Sequence, residues 1–477
     1  MSKAALVLAA AALLLPVAGC GESSSPGAAG AAVAPAASQV FVSLDTSFDS
    51  SNWEAGRQLL EKFPDGDHAV AWLTDELGSE GVDLEDVEQA LGPETDVVGL
   101  DMSDHRDRMV VLTQPDDRAK LESLLAKSHD PLVSREIDGW TAVSDNDANL
   151  DELERLRGDG SLDGVDSYQQ VTGDLGDAPL GQVYVAPSAL VSHEQSFLKP
   201  LLGNEAPALA FSVTPEDDGI HVEGALNPAS GDFFSDEFKA ELPSSVPGGV
   251  LLYAGTSDLD RQLGALRDAL GAAAPDFDRD LARAEAEIGV SLDEDVFPLF
   301  AGESALYVRP GFPAPEVTIL TEVDDEQGAV SVMDKLAKEV TEYYGTAELR
   351  SVETSGVQAK QLTINKLFSI YYAAFDGRLV ITTSAQGIAD LRSDGERLSD
   401  DEAFTNATEA AGMPDETTGF VYVDLNKALP AVLGLAGFAG VDTPQWLQRN
   451  LEPLHALVLY GTREDDTARF QGLLSIQ

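Results

Sequence analysis

Val40, Val42 and Leu44 fall at alternate positions, the period-two pattern of a strand with one face turned inward. From about Asn52 the apolar spacing lengthens to that of an amphipathic helix. Further along, "GVDLEDVEQALG" from residue 81 predicts a second helix, with Asp83 as its N-cap and Gly92 as its stop. The stretch "GVSLDEDVFPLFAG" from residue 289 has the same form, with Ser291 as N-cap, Glu294 closing a capping box and Gly302 as the stop. Pro298 stands against that helix, because proline lacks the amide donor and crowds the preceding turn. After each helix the pattern predicts two strands, a helix at 116–127 or 327–340, two further strands, a helical stretch, a "VYV" strand and a closing hairpin. The hairpins turn at Asp217-Asp218 and Asp465-Asp466.

The parallel is one of wording as well as of pattern. "VVLTQPDD" at 110 answers "TILTEVDD" at 318, "GWTAVS" at 139 answers "GRLVITT" at 377, and "GQVYV" at 181 answers "GFVYV" at 419. "ALAFSVTPEDDG" at 208 answers "ALVLYGTREDDT" at 456, so the matches keep one order along the chain. This predicts two tandem homologous copies, 40–230 and 248–477, joined by a Pro- and Gly-bearing linker over 231–247. Strands arrive in adjacent pairs rather than singly between helices. The expected fold class is therefore α+β, each copy a mainly antiparallel sheet packed with helices.

Ahead of the copies, Lys3 precedes an apolar run from Ala4 to Val17 that is too short to span a bilayer, the form of a secretory signal over 1–19. It ends Val17, Ala18, Gly19, Cys20, which resembles a bacterial lipobox. The resemblance implies cleavage before Cys20 and acylation of its sulfur, and two acyl chains hold a protein stably on a membrane. Cys20 is the one cysteine of the chain, so no intrachain disulfide can form. Residues 20–39, rich in Gly, Ser, Ala and Pro, read as a flexible tether with a reach of roughly 25 Å. Together with the lipobox, the ordered motifs and duplicated layout resemble the bacterial family of unknown function DUF3352, found in actinobacterial envelope proteins. That resemblance spans nearly all of the mature chain; it implies an envelope location and carries no activity or active-site residue with it.

Charge narrows the partners. With 83 acidic and 30 basic residues the formal net charge is -53, a field that repels nucleic acid and anionic headgroups. The acids are scattered, which favours solubility over a localised cation store. Asp145, Asp147 and Asn149 alternate as in a calcium loop, but Leu150 and Leu156 occupy the positions that need Gly and a bidentate Glu, so a solvated helix start is expected. Ser196 and Lys199 have Ser-x-x-Lys spacing without its partner motifs. His68, His105, His129, His193, His221 and His455 are scattered without the His-Glu-x-x-His spacing of a zinc protease, and none sits in a Cys/His cluster. No catalytic residue, metal or cofactor is predicted.

Residues 428–440, "ALPAVLGLAGFAG", are wholly apolar where the first copy carries His193, Glu194 and Lys199. Core packing between the copies is the first reading of this segment. The sharper one is an interaction surface centred on Leu435 and Phe438 with nearby Trp446. The sequence as a whole reads as a lipid-anchored extracytoplasmic lipoprotein, a non-enzymatic binding or scaffolding protein on the outer face of the cytoplasmic membrane. Its partners are that membrane, through the anchor, and an envelope protein. A solute-binding lipoprotein of a transporter and a hydrolase without a recognised motif are the alternatives.

Overall fold

Strand β1, Val40–Asp45, forms where the alternation places it, and its neighbours follow along the first half of the chain. They are β2 (Glu94–Asp101), β3 (Arg108–Thr113), β4 (Val133–Ile137), β5 (Trp140–Ser144), β6 (Gly181–Val185), β7 (Ala208–Glu216) and β8 (Gly219–Asn227). Between them lie α1 (Ser51–Glu61), α2 (Leu84–Leu91), α3 (Arg118–Lys127), α4 (Asp147–Arg157) and α5 (Asp166–Thr172). The computed structural model describes residues 28–66, 84–101, 108–128, 131–173, 175–176, 178–190, 205–231, 234–274, 276–311, 314–365, 368–438, 440–441 and 443–477. Cys20, Asp83, Ser196, Lys199, His68, His105, His129 and His193 lie outside the described residues.

The second half contains β9 (Leu252–Thr256), β10 (Ser304–Arg309), β11 (Glu316–Glu322), β12 (Glu348–Thr354), β13 (Val357–Ile364), β14 (Phe368–Phe375), β15 (Arg378–Thr382), β16 (Gly419–Asp424), β17 (Leu454–Glu464) and β18 (Thr467–Ile476). Its helices are α6 (Leu259–Ala273), α7 (Phe277–Ile288), α8 (Glu326–Tyr343), α9 (Ala385–Leu391), α10 (Glu402–Ala410), α11 (Leu425–Phe438) and α12 (Gln445–Leu451). Local chemistry sets several starts. The Asp117 side chain accepts from Ala119 N and Lys120 N to begin α3, and Asp325 accepts from Gly328 N to begin α8. Gly92, at φ 68°, ends α2 in the left-handed region that favours glycine.

Every pairing in the eighteen-stranded sheet is antiparallel. The first half runs β4-β5-β3-β2-β1-β6-β7-β8. The second runs β12-β13-β14-β15-β11-β10-β9-β16-β17-β18, the same progression with the hairpin β12–β13 added. That hairpin departs from the expectation of two strands after α8. Ser355 and Gly356, both at positive φ, make the tight turn that allows it. The halves join edge to edge, last strand against last strand, with Glu223 opposite Gln471 at the centre of the β8–β18 seam. Ile220 then faces Leu474 and Leu226 faces Ala468, so a half-turn about that centre exchanges the two strands.

One face of each half carries its main core. In the first half Phe41, Val98, Leu112 and Tyr184 lie beneath Leu150 and Leu153 of α4 and Tyr168 of α5. In the second, Tyr253, Tyr307 and Tyr422 lie beneath Ile388 of α9 and Phe404 of α10. On the opposite face, α3 covers Val97, Val111 and Val143, and α8 covers Leu379 and Tyr372.

Two sequence boundaries are corrected. The expected tether over 20–39 is already packed from Ala28 onward. Ala31, Val33 and Ala34 are core residues, Gly30 N donates to Glu94 Oε1 (2.9 Å), and Leu162 N donates to Ala34 O (2.9 Å). The expected linker over 231–247 does the same in its half. Leu242 and Val246 are fully buried, Leu242 N donates to Glu303 Oε1 (3.0 Å), and Leu398 N donates to Val246 O (2.9 Å). Small residues and prolines made these segments look unstructured, yet small side chains are what permit so close an approach of backbone to sheet. The helix expected from Ser291 is also reshaped. Ser291 caps a π-turn at Leu292–Val296, the carboxylate bonding back to Ser291 N is Asp295 rather than Glu294, and Pro298 opens the 3-10 turn Phe297–Phe300. Proline near a helical start gives up a donor that has no partner there anyway.

Candidate functional site

The apolar segment over 428–440 is not core. No residue of α11 is buried, and Phe438 is 82%, Trp446 57% and Leu435 37% exposed. The reason lies beneath it: β16 and β17 turn Phe420, Tyr422, Val458 and Tyr460 into the core on their other face. Polar contacts at the helix start hold α11 in place. Lys427 N donates to Asp424 Oδ1 (3.0 Å), Lys427 Nζ pairs with Asp424 Oδ2 (2.6 Å), and Asn426 Nδ2 meets His455 Nδ1 (3.0 Å). The following helix, α12, is clamped to the first half, where Asn450 Nδ2 donates to Asp65 Oδ2 (2.7 Å) and Asn450 Oδ1 accepts from Asp65 N (3.1 Å).

The side of the sheet that carries His455 is apolar across its centre. Leu306, Ala254, Val421, Leu459, Gly472 and Val222 form one row across six strands, three on each side of the β16–β17 pairing. Leu459 is 42% exposed, and Leu306 and Phe470 are also open. From Ala428 to Val441 the chain carries no charge at all, within a protein of net charge -53. Among the described residues the site is therefore an apolar surface, part helix and part sheet, open at Leu306, Leu459 and Phe470. Its helical residues are legible in sequence; the sheet row is not, because it exists only once six strands have taken register.

A second unusual site lies under the segment that begins at Ala28. Glu94 and Asp96 point into the same core as Val98 and are fully buried, and Glu94 Oε2 and both Asp96 oxygens find no hydrogen-bond partner. Burial, followed by the charge of Glu94, holds the Asp96 carboxyl well above the usual carboxylate range. A Cβ on Gly30 would stand 1.7 Å from Asp96 Oδ2, so glycine is required there. The second half has Glu303 in the same role but Ala305 and Leu242 where the first has Asp96 and Gly30. Two acids at alternate positions of an otherwise apolar strand, "ETDVV", were the available signal.

The remaining predicted residues take ordinary places. Asn146 caps α4 by accepting from Asn149 N, and Asn149 Nδ2 donates to Asp145 Oδ1 (2.9 Å), so the calcium-like stretch is a helix start. His455 sits at the foot of α11, and His221 lies beside Asp218 and Glu216 on the β7–β8 hairpin. Among the described residues, no helix is long and apolar enough to cross a membrane.

An antiparallel α+β body with an uncharged apolar face is the class that these elements define. The chain belongs to the family described as Protein of unknown function (DUF3352), which it matches over residues 120–462. No curated protein matches the chain. A solved structure titled "Structure of crystal form III of TP0453" is similar over 49% of this chain and 79% of that chain, at 10% identity and a TM-score of 0.24, too slight a likeness to carry an argument.

Proposed function

We propose that the protein is a lipid-anchored, extracytoplasmic binding protein of a bacterial, actinobacterial envelope, fixed through Cys20 and docked on the membrane by its apolar face. The observation that carries the reading is α11, a helix with no buried residue that is uncharged from Ala428 onward, with Phe438 and, on α12, Trp446 exposed. Exposed Phe, Leu and Trp side chains sink to the acyl boundary of a bilayer, and such binding scales with the apolar area buried. A body this acidic gains nothing from anionic headgroups, so the anchor brings it to the surface and the uncharged patch is where it touches. Matching strand order, and matching hydrogen bonds at Glu94 and Glu303, support treating the halves as tandem homologous copies.

Phosphatidylcholine vesicles test the docking. Leu435→Asp with Phe438→Asp is expected to weaken vesicle binding by about tenfold or more, since each buried side chain of this size is worth about 1.5–3 kcal/mol. Both sites are exposed, so the melting curve stays unchanged. Unaltered vesicle binding in this variant sinks the membrane reading and leaves the patch to an envelope protein. Anchoring is checked separately: Cys20→Ala is expected to move the protein from the membrane fraction to the medium and to abolish fatty-acid labelling.

A further inference from the structure

At the β7–β8 hairpin, His221 Nε2 stands 3.0 Å from Asp218 Oδ1 and 3.8 Å from Glu216 Oε2. One ligand atom from each residue lies within 4.8 Å of the other two. We propose that Glu216, Asp218 and His221 bind one divalent transition-metal ion, with Zn2+ as the probe and a fourth position open to water. Zinc takes imidazole nitrogen and carboxylate oxygen at about 2.0–2.2 Å, so small side-chain movements bring all three onto one ion. The turn that presents them is fixed by β18 and by Lys62 at the end of α1. Ile476 N donates to Asp218 O (2.9 Å), and Lys62 Nζ donates to Asp217 O (2.6 Å) and Ile476 O (2.8 Å), bracing the backbone through carbonyls.

The second half supplies an internal control. Its last hairpin pairs Glu464 with Thr467 as the first pairs Glu216 with Gly219, which puts Glu464, Asp466 and Arg469 in the places of Glu216, Asp218 and His221. There too a backbone N–H fixes the turn, Ala229 N donating to Asp466 O (2.7 Å). Arg469 Nη2 lies 3.2 Å from Glu464 Oε2, so a fixed guanidinium balances the acids. Guanidinium has no lone pair to give a metal, whereas neutral imidazole does. The same pair of acids is thus served in one hairpin by a built-in cation, and in the other by a ligand able to recruit one. The signal in sequence is Glu-x-Asp-x-x-His spanning a hairpin turn, a spacing outside the familiar helical zinc motifs.

The test is calorimetric titration of Zn2+ into the full chain in physiological salt with excess Mg2+, which occupies the scattered surface acids. Cys20→Ala is present in every arm to remove the thiol. One ion per chain is expected, with affinity falling at least tenfold in His221→Arg, which installs the ion pair of the second half and so keeps the hairpin folded. The converse Arg469→His is expected to raise the stoichiometry to two. Zinc binding that His221→Arg leaves unchanged in number and affinity overturns the proposal, as does no binding by the Cys20→Ala chain itself.

Discussion

Gly30→Leu is expected to destabilise the protein by about 3 kcal/mol, at the upper end of overpacking costs, and Asp96→Ala in the same chain to restore most of that loss. A Cβ at position 30 collides with the Asp96 carboxyl at 1.7 Å, and the collision lifts the segment that buries Ala31, Val33 and Ala34. The double variant reproduces the pair already present in the second half, Leu242 with Ala305, both buried in its core. Asp96→Ala alone is expected to be close to neutral, because removing a buried, unpartnered carboxyl offsets the small cavity it leaves. Denaturant unfolding of the four chains closes a double-mutant cycle. Additive effects, or a harmless Gly30→Leu, would show that the two positions are not coupled.

The second large effect is on the pH dependence of stability. Burial in the fold raises the Asp96 carboxyl well above its ordinary value of 3.8, around which it ionises in the unfolded chain. Above that value the unfolded state binds fewer protons than the native state at this position, so the Asp96 contribution falls as pH rises. The slope is at most about 1.4 kcal/mol per pH unit, and it flattens once pH passes the raised native value. The groups facing Asp96 are Glu94 on its own strand, whose charge adds to the effect, Ser43 on β1 and Tyr168 on α5. Glu303 and Glu316, also raised by burial, act in the same direction. Asp96→Asn is expected to stabilise the protein near neutral pH and to leave only the shallower slope of those two. Melting curves from pH 4 to 8 that superimpose for the two chains would refute the assignment.

These predictions rest on features that the sequence revealed unevenly. β1, the Asp-Asp hairpins and the starts of α3 and α4 were legible because each follows from a few adjacent residues. The segment over 28–38 was not, because Ala, Gly and Pro signal a linker by composition while their small size suits them to pack under a sheet. For α11 the failure ran the other way: apolar sequence reports an aversion to water without saying whether anything covers the helix. Leu435, Phe438 and Trp446 were identifiable as surface candidates, whereas the row from Leu306 to Val222 depends on pairings between distant strands that no local pattern encodes.

The seam between β8 and β18 also bears on edge-to-edge growth of the sheet. By spending both closing strands on each other, the eighteen strands among the described residues form one ladder whose two open ends are β4 and β12. Each end is armed with charge. On β4, Arg135 bonds Asp151 (2.9 Å) and Glu154 (3.0 Å), and Glu136 pairs with Arg118 (3.0 Å). On β12, Glu348, Arg350 and Glu353 lie exposed. A strand arriving from another molecule would have to strip water from these groups to gain its backbone hydrogen bonds, so a sheet of this size resists growing into a fibre.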